Sequence, residues 1–132
     1  MKRLLILAGT ALIAFTAQAS AEGDPANGEK VFRKCAACHA VGEDARNKVG
    51  PQLNGVIGRD WGTIEGYKYS PSLMEGAGEG RTWDVETLDA YLLKPRDVIP
   101  KGRMAFAGLR KDEDRADVIA YLAQYSEDGT TN

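Results

Sequence analysis

From Ala40 to Arg81 the chain is rich in glycine, carries Pro51 and Pro71, and shows only weak hydrophobic periodicity. That is more loop than an ordinary compact domain contains. Helical signals lie on either side of it. The first starts near Asp24-Pro25, a carboxylate cap with proline in the first turn, and should run to about Ala37 with Val31 and Phe32 on its buried side. A second should open at Thr82, whose hydroxyl can cap Trp83 to Lys94; Leu88, Tyr91 and Leu92 share one face, and Pro95 stops it. The clearest is the last, where Asp112, Glu113 and Asp114 favour an N-terminus and Val118, Ile119, Leu122 and Tyr125 recur at helical spacing. It should close the core against the first. With no alternating strand pattern between them, these signals predict an all-α fold of few helices and long loops. Something other than packed polypeptide must fill part of its core.

The N-terminus reads as a secretory signal peptide, since Lys2 and Arg3 precede an apolar run from Leu4 to Ala17 that is too short to span a bilayer comfortably. Ala19-Ser20-Ala21 is a small-x-small pattern, which predicts cleavage after Ala21, with a cut after Ala19 as the alternative. Removing residues 1–21 leaves 111 of 132 residues, enough for one domain over 22–132. Two of the 17 basic residues and none of the 19 acidic ones are lost, so the formal charge moves from −2 to −4. An acidic chain of this kind is a poor match for nucleic acid.

Cys35-Ala36-Ala37-Cys38-His39 is a C-x-x-C-H sequence, the attachment signature of c-type haem. Each cysteine can form a thioether to a haem vinyl group, and the adjacent histidine is then held beneath the porphyrin as an axial iron ligand. Competing readings are weaker. A structural zinc site needs four ligands, and only Cys35, Cys38 and His39 are on offer. A thioredoxin-like pair needs a βαβ context that is missing. A simple disulfide leaves the chain's only histidine unexplained. One haem also answers the loop problem, because a large apolar cofactor supplies core around which loops can wrap.

The other axial position separates electron transfer from ligand chemistry. With a single histidine, bis-histidine ligation within one chain is excluded. A methionine thioether is the natural candidate, and His with Met is the pairing that raises the reduction potential in cytochromes c. Met74 precedes the flexible stretch Gly76 to Gly80, whereas Met104 lies in Ile99-Pro100-Lys101-Gly102-Arg103-Met104-Ala105-Phe106, stiffened by proline and flanked by apolar residues. Met104 is the expected ligand, although methionine more often serves as a gap-filling core side chain.

The order of further landmarks resembles a class I cytochrome c of the mitochondrial and bacterial cytochrome c2 type across nearly all of residues 24–126. They are Gly28 with Phe32, CAACH at 35–39, GPQLNG at 50–55, GR at 58–59, Tyr69, Trp83, Tyr91 with Leu92, IPKGRMAFAG at 99–108 and VIAYL at 118–122. The resemblance implies the cytochrome c fold, covalently bound haem c and supporting roles around it. Pro51 would present its carbonyl to His39, Arg59, Tyr69 and Trp83 would meet a buried propionate, Tyr91 would lie near the axial methionine, and Phe106 would shield the pocket. Gly28, Phe32 and Tyr121 would form the contact between first and last helices. The segment between Tyr69 and Trp83 is a few residues longer than in the mitochondrial form, and Gly102 stands where that family often has a hydroxyl residue.

The resemblance also implies a one-electron carrier, not an enzyme, exported to the periplasm and monomeric, touching membranes only through its partners. These would be a cytochrome bc1 complex as donor and a terminal oxidase or photosynthetic reaction centre as acceptor, in respiration or photosynthesis. Lys34, Lys48, Arg96, Lys101, Arg103, Arg110 and Lys111 flank the landmarks that surround the exposed haem edge in this family, and would form a basic docking face on an acidic protein. The rival functions are a small haem enzyme or a gas-binding module with an open sixth iron site; a haem enzyme would also need a distal acid or base. The Ser126–Asn132 tail, with its Glu, Asp, Gly and Thr, is expected to fray.

Overall fold

The computed structural model describes residues 23–132, so the signal-peptide and cleavage expectations lie outside the described residues. Helix α1 (Pro25–Phe32) starts as anticipated: the Asp24 carboxylate accepts from the Ala26 amide at 2.9 Å, and Pro25 occupies the first turn. It ends at Phe32 instead of near Ala37. The chain tightens into consecutive turns, in which Cys35 N–H donates to the Phe32 carbonyl at 2.7 Å and His39 N–H to the Cys35 carbonyl at 2.9 Å. These bonds fold the C-x-x-C-H segment into a compact corner.

Helix α2 (Pro71–Gly78) falls inside the supposed loop. Ser70 caps it by accepting from the Leu73 amide at 3.1 Å, and Pro71 starts the first turn. Helix α3 (Val85–Leu93) is capped by Asp84, which accepts from Thr87 N–H at 2.7 Å, and not by Thr82. Thr82 pairs across an antiparallel bridge with Asp60, and Trp83 therefore precedes the helix. Pro95 ends α3 as expected but opens the single turn α4 (Pro95–Val98). Helix α5 (Asp112–Ala123) begins with three acidic residues, which suit its positive dipole end.

Helix α1 crosses α5 at very close range. A Cβ on Gly28 would stand 1.9 Å from the Asp117 carbonyl oxygen, so only glycine permits this approach. Phe32 packs its ring on Tyr121 with centroids 5.4 Å apart, and the buried Asp117 carboxylate accepts from the Asp24 amide at 2.7 Å. Beneath α5 the buried Arg115 donates to Asp89 on α3 at 2.8 Å, to Asp112, and to the carbonyls of Leu109 and Arg110. Among the described residues there is no strand, only two isolated bridges, so the fold is all-α with long loops.

The C-terminal residues do not fray. Tyr125 bridges to Thr131, Ser126 N–H donates to the Thr130 carbonyl at 2.9 Å, and Asp128 accepts from both the amide and hydroxyl of Thr130. Asp128-Gly129 turns the chain, with Gly129 at φ +83°.

Candidate functional site

The buried side chains of α1, α3 and α5 pack together but leave a space on one side. Phe32, Val56, Leu88, Leu92, Ile99, Val118 and Leu122 are core residues, and every one of them also lines a cavity of about 600 Å³. The hydrophobic core is therefore hollow, as the loop-rich middle of the sequence required.

Cys35, Cys38 and His39 form part of the wall, and both cysteines are free. Burial pushes the Cys35 thiol up; Lys34 tempers the effect and Cys38 adds to it. A thiol held protonated is a poor redox nucleophile, which argues against a thioredoxin-like pair. The His39 ring is fixed on two sides. Its Nδ1 lies 2.7 Å from the Pro51 carbonyl oxygen, which has no proton to give, so Nδ1 carries the hydrogen and donates it. Gly50 backs the ring so closely that a Cβ there would come within 2.3 Å of Cε1. Burial lowers the histidine's pKa, the Pro51 hydrogen bond opposes that shift, and Arg59 and Lys48 reinforce it. The imidazole is thus neutral near pH 7, leaving the Nε2 lone pair free to bind a metal.

Met104 and Phe106 come to the same cavity from the loop after α4. The Tyr91 hydroxyl, on α3, donates to Met104 Sδ at 3.7 Å, and burial pushes that phenol up to about 12. Met74 is different: it is 46% exposed, lies outside the cavity lining, and rests its sulfur on the backbone at Gly62.

Arg59, Tyr69 and Trp83 also line the cavity. Arg59 donates through Nη1 to the Gln52 and Asn54 carbonyls, each at 3.2 Å, and the Tyr69 hydroxyl accepts from the Ile64 amide at 3.1 Å. Three contributors were missed by sequence reasoning. Ser70 is buried in the lining as well as capping α2, and a serine before proline is a signal that could have marked it. Tyr67 lines the cavity, packs edge-on to Tyr69 at 4.8 Å and donates to the Val49 carbonyl at 2.8 Å. Trp61, buried outside the lining, stacks on Trp83 at 4.5 Å beneath the Arg81 guanidinium, with its ring flush on the backbone at Gly76. Nothing in its local sequence announces that role.

The seven basic residues expected on one face divide. Lys34, Lys48 and Arg103 line the cavity, joined by Lys68 and by Val49, which is 75% exposed. Lys48 Nζ donates to the Ala36 carbonyl at 2.6 Å and Arg103 to the Lys68 carbonyl at 3.2 Å, so the charges bridge the loops around the cavity. Arg96 lines a neighbouring hollow that shares Phe106 with the main one. Lys101, Arg110 and Lys111 line neither, and the last two immediately precede α5.

The cavity fits a haem: its surface is mostly apolar, two thiols and one imidazole converge on it, a thioether faces it, and Arg59 and Tyr69 place polar groups in its wall. Comparisons with known proteins agree. The cytochrome c family model matches residues 25–126. The chain is 52% identical over 106 residues to cytochrome c-550 of Ancylobacter novellus, covering 80% of this chain and 99% of the relative. It is 46% identical over 127 residues to cytochrome c-554 of Methylosinus trichosporium, covering 96% and 94%. The structure of cytochrome c2 from Rhodospirillum centenum superposes with a TM-score of 0.75 at 42% identity, covering 79% of this chain and 99% of that one. The chain belongs to the cytochrome c family and is a class I electron-transfer protein of the bacterial cytochrome c2 type, built to carry covalently bound haem c.

Proposed function

We propose that Cys35 and Cys38 are the thioether attachment points, that His39 Nε2 and Met104 Sδ are the two axial ligands, and that the protein carries single electrons between membrane redox complexes in the periplasm. The observation that carries this reading is the pairing of a fixed, neutral His39, seated between Pro51 and Gly50, with a Met104 sulfur that receives the Tyr91 hydroxyl, both facing one apolar cavity. When bound, the haem supplies the one-electron couple. The chain's own residues do the rest. Pro51 orients His39 and raises its basicity. Tyr91 draws electron density from the sulfur, and apolar walls exclude water, both favouring the less charged ferrous state. Arg59, Tyr69 and Trp83 are placed to support a buried propionate, with Phe106 shielding the Met104 side.

Exchange with partners is assigned to the open side of the cavity, whose lining includes Lys34, Lys48, Lys68 and Arg103 together with the exposed Val49. A basic rim of this kind steers the carrier to acidic faces of its partners. By family resemblance these are a cytochrome bc1 complex as donor and an oxidase or photosynthetic reaction centre as acceptor. Residues 1–21 act as the cleaved export signal and 22–132 as one monomeric domain; among the described residues no helix is long and apolar enough to cross a membrane.

The test is the near-infrared spectrum of the oxidised, haem-loaded protein beside that of Met104→Ala. A weak sulfur-to-iron charge-transfer band that vanishes in the variant is the expected result. A high-spin parent lacking the band, with rapid carbon monoxide binding when reduced, would overturn the carrier reading in favour of an open-site enzyme or gas sensor.

A further inference from the structure

Five side chains form a continuous column that ends on the Met104 sulfur. The Arg81 guanidinium lies 4.2 Å over the Trp61 ring. Trp61 stacks on Trp83 with centroids 4.5 Å apart and planes 26° from parallel, and Trp83 leans on Tyr91 at 4.9 Å and 50°. The Tyr91 hydroxyl then donates to Met104 Sδ at 3.7 Å. Trp83, Tyr91 and Met104 line the cavity, whereas Trp61 and Arg81 stand behind them, outside the lining. A short antiparallel pairing fixes the rear of the column: around the Asp60–Thr82 bridge, Trp61 N–H donates to the Arg81 carbonyl at 3.0 Å and Trp83 N–H to the Arg59 carbonyl at 2.8 Å. Helix α2 closes on Trp61 as well, since a Cβ on Gly76 would stand 2.5 Å from its Cε3 and Cζ3. Trp61 is buried, and its Nε1 has no acceptor among the described residues. A buried indole ordinarily finds one, so this ring contributes through its faces.

We propose that Trp61 is a positioning residue for the axial methionine: it backs Trp83 from outside the cavity, keeps that ring against Tyr91, and so holds the Tyr91 hydroxyl on the Met104 sulfur and the reduction potential up. The inference rests on the reading of Met104 as an axial ligand. Close-packed side chains pass a displacement from one to the next. Trp61→Leu removes the surface on which Trp83 rests, and Trp83 can then move back, withdrawing its support from Tyr91. A sulfur that no longer receives the hydroxyl keeps its electron density for the iron, which favours the more positive ferric state.

The experiment begins with the near-infrared spectrum of the oxidised, haem-loaded parent. Absence of a sulfur-to-iron band that Met104→Ala abolishes would overturn the ligand reading, and this inference with it. With the band in place, midpoint potentials are compared in Trp61→Leu, Tyr91→Phe, their double variant and Trp61→Phe. The potential should fall and the band should move in both single leucine and phenylalanine variants, Trp61→Leu and Tyr91→Phe. The double variant should fall no further than Tyr91→Phe alone, because both changes act through one hydroxyl. Trp61→Phe, which keeps a ring on Trp83, should recover most of the potential. Gly28→Ala is the control for lost stability alone, since Gly28 lies outside the cavity lining, and should leave potential and band unmoved. A Trp61→Leu protein with lowered Tm but the parent's potential and band would overturn the positioning role. Additive falls in the double variant would also overturn it, by placing the effect of Trp61 elsewhere in the pocket. Should Trp61→Leu fail to fold, Gly76→Ala, whose methyl must displace the Trp61 ring, enters the same cycle. It should move the potential in the parent background and not in Tyr91→Phe, and any other pattern would overturn the proposal.

Discussion

Gly50 shows how much of the site depends on what a residue lacks. Its missing side chain is the space in which the His39 ring stands, and the ring's other restraint, the Pro51 carbonyl, belongs to the next residue. Gly50→Ala would put a methyl 2.3 Å from His39 Cε1, where either the ring turns away from Pro51 or the loop lifts. The expected cost is about 1–3 kcal/mol of stability by denaturant unfolding, with a raised midpoint potential, because the imidazole loses the hydrogen bond that raises its basicity and so favours the ferric state. The neighbouring change Val49→Ala alters an exposed side chain and should move neither quantity. A Gly50→Ala protein with the parent's stability and potential would mean that the backing glycine is incidental. Cys35, Cys38, His39 and Met104 were legible in the sequence because each is chemically distinctive and locally patterned. Gly50 and Pro51 were reachable only through family resemblance, since nothing short-range says which side chain a glycine must accommodate.

The same division holds for the helices. α5 was read correctly because its acidic start and apolar spacing are both local. α2 was missed because Gly76 and Gly78 depress helix propensity, and its signal lay in Ser70-Pro71, a cap and first-turn pair. The formation of α2 against propensity is explained by Trp61, whose ring fills the space over Gly76. At the other end of the fold, α1 and α5 are held by a backbone approach, not by large side chains alone. Gly28→Ala would drive a methyl into the Asp117 carbonyl at 1.9 Å, and helices cannot yield there without moving Phe32 off Tyr121. Overpacking against backbone places the expected loss at the upper end of the usual range, about 3 kcal/mol, read as a lowered Tm of the haem-loaded protein. Because Gly28 and Tyr121 lie outside the lining of the cavity that His39 and Met104 face, the charge-transfer band of the folded fraction should stay at the parent's position.

On the scale of the whole molecule, a sequence that is acidic in sum hides two properties that depend on arrangement. One is alkaline stability. Burial, then the neighbouring Tyr125 hydroxyl 3.1 Å away, hold the Tyr121 phenol well above its ordinary value. A folded-state pKa raised above the unfolded one, about 10, contributes stability that is complete below pH ~10 and is lost as pH climbs toward the folded value. Tyr121→Phe keeps the ring on Phe32 and should make the fall of Tm above pH ~10 shallower while leaving the rest of the curve alone; an unchanged alkaline slope would refute it. The second property is steering. The sequence suggested one basic face running from Lys34 to Lys111; in the fold Lys34, Lys48 and Arg103 line the cavity together with Lys68, while Arg110 and Lys111 precede α5 outside that lining. If encounter with acidic partners is guided by the field around the mouth, position must matter more than total charge. Lys34→Glu with Lys68→Glu and Arg110→Glu with Lys111→Glu change the net charge equally. The first pair should slow the bimolecular electron-transfer rate roughly tenfold or more at low salt, with the deficit closing as salt is added, and the second pair should slow it far less. Matched losses in the two double variants would place the docking field in the overall charge of the molecule and remove the cavity mouth from its assigned role.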